Sequence, residues 1–196
     1  MKSALILTMV KLLFLLWCPL VSNFIFANNY KIDTKNAHAS IIFSIRHLNV
    51  GSVTGRFDKF KGDFIFDSKN FMLGAVNVTV ETYSISTNHL ERDNYLRSND
   101  FLNVVRYPLA SFVSNKVVMK DQDNFDIIGG LTLNGVTKNI VINAKKTGEG
   151  QDPWGGYRVG FEGVTELKLK DFNINFFLGP GSESVKLLLS IEGIRE

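Results

Sequence analysis

The sequence predicts an all-β fold: about eight antiparallel strands in one domain. Three observations carry this. Short runs of period-2 alternation recur from Ser40 onward, turn residues separate them, and no Pro-rich, Ser-rich or low-complexity linker interrupts them. A closed barrel and a two-sheet sandwich give the same alternation, so periodicity alone leaves both open.

The first run, Ser40 to Val50, places Ile41, Phe43, Ile45 and His47 on one face, and Ile42, Ser44 and Arg46 on the other. In the second, Phe57 to Asp67, the apolar face carries Phe60, Phe64 and Phe66. In the third, Leu73 to Ser86, Val76, Val78 and Val80 oppose Asn77, Thr79 and Glu81. Each strand therefore has a core side and a wet side, as antiparallel sheets do. Further runs cover Leu109 to Met119, Asn124 to Leu133, Val136 to Lys146, Gly156 to Lys170 and Ser184 to Gly193.

Two local features stand out among the connections. Asn134-Gly135 separates two strands and suits a type I′ turn, because both central residues of that turn need positive φ. Between strands three and four the alternation stops, and Asn88 to Arg97 reads as a short helix, with Ser98 or Asp100 able to cap a further turn. Pro108 then holds its predecessor extended. Gly129-Gly130, inside an alternating run, predicts a bend or bulge.

The N-terminus has a different character. Met1 to Ala27 holds Lys2, an apolar run from Ala4 to Val10, Lys11, and a second apolar run from Leu12 to Leu16. This is the pattern of a secretory leader cut between Ala27 and Asn28, with 28–196 as the mature domain. A retained anchor and lipidation at Cys18 are the competing readings; Trp17 stands where lipoprotein processing wants a small residue. Export predicts a periplasmic protein.

Cys18 is the only cysteine. The mature chain can therefore form no internal disulfide and use no thiol nucleophile. Removing Lys2 and Lys11 leaves 20 of the 22 basic residues against 19 acidic ones, a net charge of +1. No basic run marks a nucleic-acid surface.

Reactive constellations are missing. His38, His47 and His89 lie on separate segments, without the spacing of a metal site. No Gly-x-Ser-x-Gly elbow occurs, and Gly179-Pro180-Gly181-Ser182-Glu183 reads as a loop. Asp63, Asp67, Glu81 and Glu162 alternate with apolar residues as solvated strand faces do. Phenylalanine is abundant instead: of 16, Phe14, Phe24 and Phe26 fall in the leader, which leaves 13 in the mature domain. A packed core accounts for any one of them, whereas the excess also suits an apolar cavity.

Several blocks taken in order carry a family resemblance. Tyr30-Lys31-Ile32-Asp33, the block His38 to Leu48, and Gly55-Arg56-Phe57 come first. Ser84 to Thr87, Glu91 to Ser98, Asp100-Phe101 and Tyr107-Pro108 follow, then Gly130 to Lys138, and finally Lys168 to Ile174 with Asp171-Phe172. Together they resemble the YceI-like family over nearly the whole mature chain. Two departures are visible: Ala39 splits the usual His-Ser pair, and Asn173 stands where glycine usually follows.

The resemblance implies an eight-stranded, lipocalin-like antiparallel barrel, closed at one end, that encloses a polyisoprenoid or similar amphiphile; with the aromatic interior, the leading expectation is a polyisoprenoid or quinone-like lipid held for carriage or storage. The resemblance also implies binding without catalysis; no cofactor is expected, and the histidine spacing gives no metal site. Other amphiphiles such as fatty acids or fatty amides, and a lipid-modifying enzyme, are the alternatives. Apolar walls discriminate poorly among chains, since each buried CH₂ contributes about 0.8 kcal/mol whatever its parent lipid. The alternating faces assign the tunnel lining to Phe43, Ile45, Phe60, Phe64, Val78, Val80, Val185, Leu187 and Leu189. Transient membrane contact and a homodimer are compatible with this reading.

Overall fold

The computed structural model describes residues 27–36, 38–175 and 179–196. The expected leader, with Lys2 and Cys18, lies outside the described residues apart from Ala27. Among the described residues no helix is long and apolar enough to cross a membrane.

Eleven strand segments form a single antiparallel sheet: β1 (Asn28–Ile32), β2 (Ser40–His47), β3 (Gly51–Phe57), β4 (Phe60–Asp67), β5 (Met72–Glu81), β6 (Ile85–Ser86), β7 (Leu109–Met119), β8 (Asn124–Leu133), β9 (Val136–Gln151), β10 (Tyr157–Lys168) and β11 (Ser184–Arg195). β1 closes the ring by pairing on both sides, with Tyr30 opposite Phe64 of β4 and opposite Arg195 of β11. β2 continues the line of β1 along β11, with Ser190 opposite Ser40 and Val185 opposite Ile45. β3 continues β4 in the same way along β2, and β6 follows β5. The barrel thus has eight long strands, the first three each broken once. The helix α1 (Leu90–Arg97) lies after β6, between the third and fourth long strands.

The breaks explain what alternation did not reveal. β1 and β3 are absent from the sequence reading because they carry few large apolar residues: β1 buries Tyr30 and Ile32, and β3 offers only Val53 and Phe57. Between β1 and β2 the chain turns over buried Asp33, whose amide donates to the Glu192 carbonyl at 2.8 Å.

The predicted turn forms, with Asn134 at φ 49° and Gly135 at φ 76°. The predicted irregularity also forms. β7 shifts register between Ser114 and Lys116 opposite Gly129, and a Cβ on Gly129 would lie 2.4 Å from the Val113 carbonyl oxygen. Only glycine permits that approach of two backbones.

Two groups of buried side chains fill the ends of the barrel. At the end formed by residues 67–72, 119–124 and 151–157, Tyr30, Phe66, Phe125 and Val159 are fully buried. Their rings interlock. Tyr30 stacks on Phe64 at 5.3 Å and 3°, and Phe161 meets Phe64, Phe66 and Phe125 edge-on at 5.6, 5.4 and 6.1 Å. Such edge-to-face packing suits the ring quadrupoles and makes this end a solid plug. The second group, at the opposite end, joins Phe43, Ile45 and Val185 to Leu96, Phe101, Leu102, Val104, Leu169 and Phe172. Here the covering is a helix and loops rather than strand side chains.

Candidate functional site: the barrel cavity

Between the two packed groups lies a cavity of about 590 Å³, within the roughly 300–1,000 Å³ usual for enclosed ligand sites. Its wall is built by the inward residues of every long strand. Ile41, Phe43 and Ile45 from β2 face Val185, Leu187 and Leu189 from β11, and Val76, Val78 and Val80 come from β5. The strand pleat sets this arrangement, because alternate residues of a closed sheet must share one interior.

Eight of the nine expected residues line the cavity: Phe43, Ile45, Phe64, Val78, Val80, Val185, Leu187 and Leu189. Phe60 does not. It is the first residue of β4, beside the break from β3, and its half-buried ring packs against the plugged-end core instead. The sequence reading named no lining residue from β7 to β10, although the structure adds Phe112, Ile127, Leu131, Ile140, Ile142 and Phe161. The signal was present in each case as the apolar half of an alternating run.

The polar residues at the mouth were not foreseen. Arg46 and His47 end β2, and Arg92 and Tyr95 project from α1; all four touch the cavity. α1 is fixed by bonds that explain much of the block Glu91 to Ser98. His89 caps its start, Nδ1 accepting from the Arg92 amide at 3.3 Å. Buried Asp93 accepts from the Thr87 amide and hydroxyl at 2.8 and 2.6 Å. Arg92 donates to the Thr87 hydroxyl and carbonyl at 2.8 and 3.0 Å, and Arg97 donates to the Ile85 and Tyr83 carbonyls at 2.6 and 2.9 Å. Burial, with the nearby Asp100 carboxylate, pushes the Tyr95 phenol up. These contacts hold Leu96 over the cavity like a stopper.

At the same end of the barrel, Asn134 of the tight turn donates to the Phe172 carbonyl at 3.1 Å. Asn173 follows at φ 58°, in the left-handed region. Glycine adopts that region freely and asparagine tolerates it, so this departure from the usual glycine keeps the turn.

The three histidines remain apart in function: His47 at the mouth, His89 capping α1, and His38 beside Asp33. His38 Nδ1 lies 3.1 Å from Asp33 and 3.6 Å from Glu192. A cation already serves these carboxylates. Arg158 donates to Asp33 at 2.7 Å and to Asp152 at 2.6 Å, and pairs with Glu192 as well. Burial alone would raise the Asp33 carboxyl, yet the bonds from Arg158, Asn36 and His38 hold it well below the usual carboxylate range. The cluster pins the β1–β2 break to β10 and β11 and stands outside the cavity lining.

Known proteins share both the sequence and the architecture. The sequence profile of the YceI-like domain matches residues 30–193. A UPF0312 protein of Pseudomonas aeruginosa strain LESB58 is 55% identical over 170 residues, covering 87% of this chain and 88% of its own. Protein YceI of Escherichia coli O157:H7 is 52% identical over 170 residues, with the same coverage. Among solved structures, the Campylobacter jejuni YCEI protein superposes with a TM-score of 0.71 at 27% identity, over 78% of this chain and 90% of that one. A polyisoprenoid binding domain from Saccharophagus degradans shares the fold, with a TM-score of 0.61 at 14% identity over 85% of this chain and 98% of that one. With the profile spanning the barrel from β1 to β11 and relatives identical at more than half of the aligned positions, the chain belongs to the YceI-like family.

Proposed function

We propose that this protein is an exported, non-enzymatic carrier or store that holds a long polyisoprenoid or quinone-like lipid inside its barrel. The observation that carries the proposal is the 590 Å³ cavity, closed at one end by interlocked rings and walled almost wholly by Ile, Leu, Val and Phe. Such a wall offers an extended hydrocarbon a continuous apolar surface, and offers a polar metabolite almost nothing. Arg46, His47, Arg92 and Tyr95 gather at one mouth, with only Ser111, Glu162 and Thr165 adding polar groups along the wall, which fits a ligand with a polar head and a long tail. That a domain of the same fold binds polyisoprenoid supports the choice of ligand. The charged start and apolar run of Met1 to Ala27 support export to the periplasm with cleavage after Ala27. The absence of a paired nucleophile and base in the sequence supports binding over catalysis.

The test is to purify the protein from the periplasmic fraction, sequence its N-terminus, extract it with organic solvent and identify retained lipid by mass spectrometry. The expected outcome is a chain beginning at Asn28 with a stoichiometric isoprenoid-tailed lipid. An extract with no long-chain lipid, or one enriched only in fatty acids, would sink the ligand assignment.

A further inference from the structure

The mouth of the barrel combines cations that form no ion pair among the described residues with exposed aliphatic side chains around an apolar opening. Near the plugged end Arg158 pairs with Asp33, Asp152 and Glu192, and Lys146 with Glu149. At the mouth Arg46, His47 and Arg92 line the opening, and none of the three forms an ion pair among the described residues. Arg92 rests on the neutral oxygens of Thr87.

The same end exposes aliphatic side chains on two connections, whereas the apolar residues exposed at the plugged end include Met72, Met119 and Trp154. Leu48 (50% exposed) and Val50 (90%) form the turn between β2 and β3, Leu90 (72%) opens α1, and Val105 (91%) lies in the loop before β7. A solitary exposed valine is unremarked on any protein, but several on the tips around one apolar opening form a contact surface. The partner must accept apolar tips and bring negative charge to the Arg46 side, while tolerating the exposed carboxylates of Glu91 and Asp100 farther along α1 and its following loop.

We propose that this rim docks on a lipid bilayer with anionic headgroups: Leu48, Val50, Leu90 and Val105 enter the headgroup region, and Arg46, His47 and Arg92 face the lipid charges. Docking in this orientation seats the mouth against the leaflet, so a chain passes from bilayer to cavity without crossing water. Interfacial binding of this kind combines shallow apolar burial with attraction to negative lipid. The inference rests on the lipid-carrier reading, and the two are separable by experiment.

The mature protein is mixed with phosphatidylcholine vesicles, either pure or containing about one-third phosphatidylglycerol, and the bound fraction is measured by flotation. Loading is measured separately, with detergent-dispersed polyprenol and no vesicles. Wild type should float with the anionic vesicles. The double variant Val50→Asp with Leu90→Asp should bind about tenfold less, and Arg46→Gln about fivefold less at low salt with the difference vanishing at high salt. Met119→Asp, at the plugged end, should bind as wild type. Rim variants that bind like wild type, an equal loss in Met119→Asp, or a dimer in vesicle-free solution that dissociates on Val50→Asp would each overturn docking. A barrel that loads polyprenol yet ignores vesicles defeats the docking surface alone; one that docks and never loads defeats the carrier reading alone.

Discussion

Asp33 is 3% exposed yet ionised, because Arg158 and Asn36 donate to it and His38 sits against it. In the unfolded chain its carboxyl returns to about 3.8. A carboxyl held lower in the fold than outside it contributes stability that is complete above the unfolded value and lost as pH falls through the folded one. Asp33→Asn should therefore lower the stability plateau at neutral pH and flatten the decline below about pH 4, read as urea midpoints across that range. Arg158→Ala should cost about 3–5 kcal/mol, since it strands buried carboxylates without their cation. A stability change under about 1 kcal/mol would show the cluster to be as weak as a surface pair. The pairing was not legible in the sequence: Asp33 closes the block Tyr30-Lys31-Ile32-Asp33, but Arg158 stands 125 residues away and no local pattern joins the two.

Strands and helix were more legible, since their signals are local. The parity of β2, β4, β5 and β11 follows directly from alternation, and a one-residue error would have turned every lining residue outward. Phe60 shows the limit of that reasoning. It has the correct parity, but parity cannot say where along a strand open space gives way to packing. α1 was legible as a helix from its polar, break-flanked sequence, while its role as a stopper depends on Leu96, the buried aliphatic of its inner face. Leu96→Ala should destabilise the protein by about 2–4 kcal/mol. It should also raise amide exchange across α1 before it affects β8 or β10, whose hydrogen bonds lie within the wall. Uniform exchange across helix and wall would mean that α1 is not a separately opening unit.

For the molecule as a whole, periodicity could not separate barrel from sandwich, because closure is a property of who pairs with whom. Given the closed ring, cavity and ligand compete for one volume. Val78→Trp and Leu187→Trp should each reduce retained lipid while circular dichroism stays that of the folded barrel, because an indole fills cavity space without burying a charge. Full lipid content in both folded variants would place the ligand elsewhere.

The pairing of β1 with β11 has a kinetic meaning as well. The ring closes through Tyr30 and Arg195, residues from opposite ends of the described chain. Until β11 is present, β1 has a partner on one side only, and β4, β10 and the aromatic plug cannot be brought into one interior. Closure thus comes late and brings together the most distant contacts among the described residues, so its loop entropy must be met before the core rewards it. Folding should be slow, in the millisecond-to-second class of long-range β topologies, and a nascent chain lacking β11 keeps its apolar strand edges open to capture by a chaperone.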